Sequence, residues 1–131
     1  MTTATKYGIT RTVASGYEET IARVRELLKE EGFGVLTEID VKRTLKEKID
    51  KDVDPYVILG ACNPRLASRA LEAEPDIGLL LPCNIIVAAR EDGTHVGVVN
   101  PQTLVEITSN PVLAEVSREA DERLRRVIER V

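Results

Sequence analysis

Aromatic residues are scarce in this chain, and tryptophan is missing altogether. The 131 residues include three Tyr and one Phe, so aromatics make up 3% of the composition. Aliphatic side chains must therefore fill the interior, and the length suits one core in a single domain over residues 1–131. No aromatic residues interleave with basic ones, so we expect no stacking surface for single-stranded nucleic acid.

Basic residues are fewer than acidic residues. The chain has 18 Lys and Arg against 22 Asp and Glu, a formal net charge of −4. Phosphate binding needs clustered cations, whereas the basic residues here stand beside acids, as in "SREADERLRRVIER". The sequence therefore predicts no nucleic-acid partner.

Long apolar runs are absent as well. Apolar runs such as Ile77 to Leu81 are far too short to cross a bilayer. The first residues, "MTTATKYGIT", lack the apolar segment of a signal peptide. We therefore expect no membrane partner and a cytoplasmic location, where the two cysteines are free thiols.

Metal ligands are few. Cys62 and Cys83 do not form a CxxC pair, His95 is the one histidine, and zinc usually needs three or four protein ligands. We therefore predict no metal site. The sequence has no Ser-His-Asp set, phosphate loop or dinucleotide fingerprint, and it leaves any cofactor unknown.

The first third of the chain predicts a strand followed by a helix. Residues 5–13 alternate weakly between apolar and polar, which indicates a strand. Ser15 and Glu18 have the spacing of a capping box, so the helix is expected to begin there. Gly32 is expected to close it.

The middle of the chain predicts two further strands around a short helix. "FGVLTEID" indicates a strand with Phe33, Val35 and Ile39 on one face. A short helix is expected over residues 41–49, with Asp40 as its N-cap. The apolar run "PYVILGA" is too short for a helix and predicts a buried strand.

The clearest local signal is a hairpin in "NIIVAAREDGTHVGVVN". Asp92-Gly93 predicts a two-residue turn of type I′, which would pair Arg90 with His95 near the tip. The face expected to meet the core carries Ile85, Val87, Ala89, Val96 and Val98. The opposite face carries Ile86, Ala88, Gly97 and Val99. Because that second face is apolar, we expect small helices or a second subunit to cover it, and we predict a homodimer.

The chain ends in a long helix from about residue 111, supported by acid–base pairs four residues apart such as Glu122–Arg126. The element order is therefore strand, helix, four strands with small helices between them, and helix. We expect an α+β fold, with an antiparallel-rich sheet of about five strands and both long helices on one face.

Three segments resemble a known family, over about residues 5–128. They are "GFGVLTEIDVKRTLKEKID", "PYVILGACNPRLASRALEAEPDIGLLLPCNIIV" and "DGTHVGVVNP", and they are similar to the bacterial and archaeal domain of unknown function 302. The resemblance implies a TBP-like fold in the same β-α-β4-α order. It implies no activity, and the fold name does not imply DNA binding.

The candidate site consists of two Cys-Asn pairs, Cys62-Asn63 and Cys83-Asn84. Cys62 ends a predicted strand and Asn63 caps the following helix, so the thiol meets the positive end of the helix dipole, which favours a reactive thiolate or an anion pocket. If the strands of the two cysteines are antiparallel neighbours, both cysteines lie at one end of the sheet. The alternative is that the thiols only fill space in the core.

Glu38 is the remaining candidate. It lies within the strand "FGVLTEID", and one interpretation, which the sequence leaves open, makes it a general base beside the Cys62 thiol. Three functions stay open: binding of a small molecule, an anion or a soft metal ion by Cys62, Asn63, Cys83, Asn84 and Glu38; a thiol-dependent enzyme or redox protein using Cys62; and a structural or interaction module with core cysteines.

Overall fold

A six-stranded antiparallel sheet is the centre of the molecule. The computed structural model describes residues 2–131. The strands are β1 (Thr3–Ala4), β2 (Gly8–Val13), β3 (Gly34–Asp40), β4 (Tyr56–Cys62), β5 (Cys83–Arg90) and β6 (Gly93–Val99). Their order is β1-β2-β6-β5-β4-β3, and every neighbouring pair is antiparallel. The α+β fold is confirmed, with one strand more than expected.

The additional strand, β1, precedes the predicted first strand of residues 5–13, which begins only at Gly8, after a bend at residues 6 and 7. Thr5 turns the chain there: its hydroxyl oxygen accepts a hydrogen bond from the amide of Gly8 at 3.0 Å. The two residues of β1 then pair back on β2.

Five α-helices surround the sheet. They are α1 (Tyr17–Glu30), α2 (Val41–Ile49), α3 (Pro64–Ala73), α4 (Gln102–Thr108) and α5 (Ala114–Arg130), with 3-10 segments at Pro75–Leu80 and Pro111–Leu113. The long helices α1 and α5 pack on the sheet and on each other in one core. Within residues 2–131, no helix combines the length and the apolarity that a bilayer crossing requires.

The core is aliphatic, as the shortage of aromatics predicts. Among the described residues, Phe33 is the only aromatic in the buried hydrophobic set. Leu28 from α1 and Leu124 from α5 are fully buried against Leu59 and Ile85 of the sheet. The face of the sheet that carries these helices is the core face, and the opposite one is called here the open face.

Most predicted helix ends are correct, but the capping box is wrong. Gly16 is the N-cap of α1 and provides no side-chain cap. The Ser15 carbonyl instead accepts a hydrogen bond from the Thr94 hydroxyl at 2.6 Å, which ties the helix start to β6. Gly32, with φ +82°, ends α1 as expected, and the Asp40 carboxylate caps α2.

A β-bulge changes the faces of β3. Val35 pairs with Ala61, but Thr37 pairs with Gly60, so Leu36 is an extra residue. The extra residue reverses the alternation that follows it. Val35 therefore lies on the core face, whereas Ile39 lies on the open face and is 48% exposed. The prediction that Ile39 shares a face with Phe33 and Val35 is wrong for this reason.

The register of the β5–β6 hairpin also differs from the prediction. Arg90 pairs with Gly93, so the turn residues are Glu91-Asp92, and His95 pairs two positions earlier on β5 than Arg90. The predicted pairing of Arg90 with His95 is wrong. A type I′ turn needs positive φ at both central residues, and neither turn residue has it.

Packing of β6 against β2 explains why the first residue of β6, Gly93, is a glycine. Its φ is +135°, and a methyl group at this position would overlap the carbonyl oxygen of Val13. The turn lies one residue earlier than predicted, which shifts the pairing of the two strands by two residues. The cross-strand partners therefore change, while each side chain stays on its predicted face. The predicted core face is correct in burying Ile85, Val87, Val96 and Val98.

Charged side chains join α5 to the end of α1. Arg126 donates two hydrogen bonds to the carboxylate of Glu31, at 3.0 and 2.8 Å. Glu122 pairs instead with Arg118, one turn earlier, at 2.8 Å. The predicted Glu122–Arg126 pair is therefore wrong, because Arg126 reaches across to the neighbouring helix.

Candidate functional site

The two Cys-Asn pairs lie at one end of the sheet. β4 and β5 are antiparallel neighbours, so the end of β4 at Cys62 lies beside the start of β5 at Cys83. Ala61 pairs directly with Cys83, and Gly60 pairs with Asn84. This is the antiparallel arrangement on which the sequence argument for a shared site depended.

Asn63 joins this end of the sheet to α3. Its Oδ1 atom accepts a hydrogen bond from the amide of Leu66 at 3.3 Å, and Pro64 is the first helical residue. An Asn cap followed by Pro is a favourable helix start. The cap fixes the direction in which α3 leaves the sheet, and α3 forms one wall of the cavity beside it.

That cavity, called here the α3–α5 cavity, has a volume of about 330 Å³. It lies between the ends of β3, β4 and β5 and the helices α3 and α5. Its walls are formed by Phe33, Leu36, Thr37, Ala61, Cys62, Asn63, Leu66, Ala67, Ala70, Leu71, Gly78, Leu81, Pro82, Cys83, Leu104, Val116, Ser117 and Ala120. No charged side chain is among these residues, so the lining is predominantly apolar.

The cavity has a partly exposed rim and one polar group deep in its wall. Leu36, the extra residue of the bulge, is 69% exposed, and Leu71 of α3 is 43% exposed. Ser117 of α5 is 0% exposed, and its hydroxyl has no hydrogen-bond partner among the described residues. A ligand entering past the leucines would find this hydroxyl beside the apolar side chains of Val116 and Ala120.

Close packing supports the sheet side of the cavity. At Gly60, a methyl group would overlap the Thr37 hydroxyl oxygen and come within 2.7 Å of Cγ of Pro82. Thr37 and Pro82 both line the cavity. Gly60 is therefore required for these two side chains to approach across β4.

The two thiols differ in their surroundings. Burial and, to a smaller extent, the neighbouring Cys62 together raise the pKa of the Cys83 thiol to about 11. Cys83 is thus a neutral thiol at pH 7, and it packs partly buried against the core. Cys62 is half-buried at the end of β4, and neither cysteine is in a disulfide.

The structure does not bring Glu38 to the α3–α5 cavity. The bulge places Glu38 in a separate hollow with Tyr17 and Asp40, where its carboxylate pairs with Arg25 of α1 at 3.2 Å. Burial, and secondarily the nearby carboxylates, raise the pKa of Tyr17. No observation favours Glu38 as a base for the Cys62 thiol.

Asn84 and His95 also lie outside the cavity. Asn84 is exposed at the start of β5. His95 lies on β6, with its Nδ1 atom 3.3 Å from the Thr12 hydroxyl. Burial, and secondarily the charge of Arg90, lowers the pKa of His95. Throughout residues 2–131, no three His, Cys, Asp or Glu side chains gather in a way that could hold a metal ion, and the prediction of no metal stays a prediction.

Most of the cavity lining is not evident from the sequence, and Leu36 and Ser117 are two examples. Leu36 looks like part of a regular strand, because a bulge leaves no clear pattern in the sequence. Ser117 does carry a signal, since it lies in the buried stripe of α5, between Val116 and Ala120. A serine in the apolar stripe of a helix marks a buried hydroxyl that needs a partner.

These features define a small α+β protein with an apolar cavity at one end of an antiparallel sheet. The family described as "Domain of unknown function DUF302" matches residues 9–131, and the chain belongs to this family. An "Uncharacterized protein" of Aquifex aeolicus (strain VF5) is 30% identical over 127 residues, covering 85% of this chain and 88% of that protein.

A solved structure shares the whole fold. The crystal structure of an "uncharacterized conserved protein DUF302" from Bacillus stearothermophilus is 36% identical, with a TM-score of 0.89. The match covers 96% of this chain and 98% of that one. The similarity confirms the family resemblance seen in the sequence, while the TBP-like assignment stays a prediction.

Proposed function

We propose that this protein binds a small, uncharged, largely apolar molecule in the α3–α5 cavity. The observation that carries this proposal is the lining, which combines mostly hydrophobic side chains with a few polar groups and no charge. Ligand pockets in proteins have this composition. Cys62, Asn63 and Cys83 contribute to the wall, so the cavity includes most of the residues singled out in the sequence.

The volume indicates the size of the ligand. An apolar cavity of about 150 Å³ holds one benzene molecule. The α3–α5 cavity, at about 330 Å³, is roughly twice as large. We therefore infer a ligand about the size of two fused rings or a short branched chain.

The surroundings of the thiols argue against the two other ligand classes, an anion and a soft metal ion. No cationic side chain lines the cavity, and the Asn63 side chain already accepts the Leu66 amide of the first turn of α3, which reduces what the helix start could offer an anion. A soft metal ion usually needs three or four protein ligands, whereas the cavity lining offers two thiols and no His, Asp or Glu side chain. An uncharged ligand requires neither a positive charge nor a set of metal-ligating side chains.

Binding is tested by titrating the protein with naphthalene and following methyl NMR signals of the lining leucines and valines. We expect saturable shifts at Leu66, Leu104 and Val116, which line the cavity. Ala67→Leu fills part of the cavity and should weaken binding at least tenfold. Ala22→Leu, at an exposed position of α1, is the matched control and should bind as wild type does. Absence of saturable shifts in folded wild-type protein would refute the proposal.

We further infer that the protein is a homodimer paired through its open face. One row of this face runs across five neighbouring strands and consists of Thr10, Gly97, Ile86, Ile58 and Ile39. Ile39 is 48% exposed, and Ile58 and Ile86 are half-buried. An apolar row of this kind usually marks an interface, and a second copy is the commonest partner of such a surface.

Two small residues of the open face are too buried to contact a second copy. Ala88 is only 4% exposed, and Gly97 is enclosed by Ile86 and Thr10, whose atoms lie 3.2 Å from a methyl group added at position 97. The contacts with a second copy would therefore come from the isoleucines and Val99, rather than from all four residues of the predicted face.

We infer a reducing compartment for this protein, in agreement with the predicted cytoplasmic location. Cys62 and Cys83 lie on neighbouring strands without a disulfide between them. Cytosolic proteins keep their thiols reduced.

A further inference from the structure

One hydroxyl in the α3–α5 cavity is unpaired although it is completely buried. Ser117 is 0% exposed, and within the described chain its Oγ atom meets no hydrogen-bond partner. It lines the cavity together with Val116 and Ala120 of the same helix and with Leu104 of α4. All three of these neighbours are apolar.

An unpaired buried hydroxyl is an exception that needs an explanation. Buried side-chain polar atoms nearly always have a hydrogen-bond partner, because removing a hydroxyl from water without replacing its bonds is unfavourable. Alanine at this position would leave the cavity wall apolar and avoid that penalty. A serine therefore makes chemical sense if its partner arrives with the ligand.

We propose that Ser117 is the hydrogen-bonding anchor of the cavity, and that the ligand carries one uncharged oxygen group, an alcohol or a ketone, on an apolar body. The inference rests on the proposed function and names the chemical class of the ligand. A serine hydroxyl both donates and accepts, so it serves either group. A carboxylate is excluded from this class because no cation lines the cavity.

A rival partner for the hydroxyl lies on the same helix. Asp121 is four residues further along α5. Its Oδ2 atom accepts a hydrogen bond from Nε of Arg125 at 2.9 Å. Its buried Oδ1 atom has no hydrogen-bond partner in the part of the chain that is described. Asp121 does not line the cavity. If Ser117 existed to hold Asp121, removing its hydroxyl would leave ligand selection unchanged.

The test uses two pairs of probes of equal shape. Dissociation constants are measured for 1-naphthol against 1-methylnaphthalene and for 2-naphthol against 2-methylnaphthalene, by methyl NMR or calorimetry at pH 7. We expect one naphthol to bind wild-type protein roughly three- to tenfold more tightly than its methyl counterpart, the ratio that one neutral hydrogen bond supplies. In Ser117→Ala this preference should vanish while the methylnaphthalenes still bind. Ser68→Ala removes an exposed hydroxyl from α3 and should keep the preference.

The outcomes separate the two proposals. If the methylnaphthalenes bind wild-type protein but neither naphthol is preferred, the cavity binds ligands and the anchoring role of Ser117 is wrong. The same conclusion follows if the preference survives in Ser117→Ala and is lost in Asp121→Asn. If no probe binds, both the proposed function and the anchor are refuted.

Discussion

Gly60→Ala should destabilise the protein because the added methyl group has no room. The methyl would overlap the Thr37 hydroxyl oxygen and lie 2.7 Å from Cγ of Pro82, a distance that real Cβ atoms essentially never show. Adding a methyl group to a packed position costs roughly 1–3 kcal/mol. Two obstacles on a central strand place the expected loss near the middle, at about 2 kcal/mol.

Gly34→Ala is the matched control. Gly34 is also a strand glycine, opposite Cys62 on the neighbouring strand, and a methyl group there meets nothing within 4 Å. Its stability should stay within about 0.5 kcal/mol of wild type. Thr37→Ala in the Gly60→Ala background removes one of the two obstacles and should recover part of the loss, while Pro82 keeps the remainder.

The assay is urea unfolding at equilibrium, with thermal melting as a second measurement. For a chain of this size, each kcal/mol corresponds to a melting-temperature change of roughly 3–5 °C. The loss in Gly60→Ala should therefore appear as a fall of about 6–10 °C. The reasoning fails if Gly60→Ala unfolds at the same urea concentration as Gly34→Ala, or if Thr37→Ala recovers nothing.

Three further predictions concern charge, thiol reactivity and assembly. Hydrogen bonding by Arg126 lowers the pKa of Glu31, so the stabilisation by Glu31 is complete above the unfolded pKa of about 4.3 and is lost as the pH falls through the folded pKa. In Glu31→Gln the melting temperature should therefore fall less steeply with decreasing pH in the acid range. An equally steep fall in wild type and variant would contradict this. Iodoacetamide at pH 8 should modify Cys62 before Cys83, whose pKa is raised to about 11 by burial, and mass spectrometry showing the reverse order would refute it. Light scattering at micromolar concentration should give a dimer that Ile58→Glu dissociates and Leu79→Glu, at an 87% exposed position, does not; a monomeric wild type would overturn the proposed interface.

The helix starts could be predicted because their signals are local. Asp40 and Asn63 are residues whose side chains bond the first turn of a helix, and both do so in the structure. The long helix α5 was predictable from its apolar stripe, although a 3-10 segment replaces its expected first turn. These features depend on residues within one or two turns of each other.

The features that the sequence did not predict depend on distant parts of the chain. The hairpin forms together with the pairing of β6 with β2, in which Val13 approaches Gly93 from about 80 positions away, and the Asp-Gly pair alone does not predict its register. The bulge at Leu36 appears only in the pairing of β3 with β4. The cavity combines residues from Phe33 to Ala120, so its volume and lining could not be derived from any single segment.

The same bulge bears on the solubility of the folded protein. β3 is the last strand of the sheet, and an edge strand presents unpaired amides and carbonyls to any other chain with an extended segment. The extra residue at Leu36 interrupts the regular repeat of that edge, and Glu38 follows it. Edge bulges and charges of this kind hinder strand-by-strand growth between molecules. One inserted residue thus shapes the rim of the cavity and also protects the sheet against aggregation.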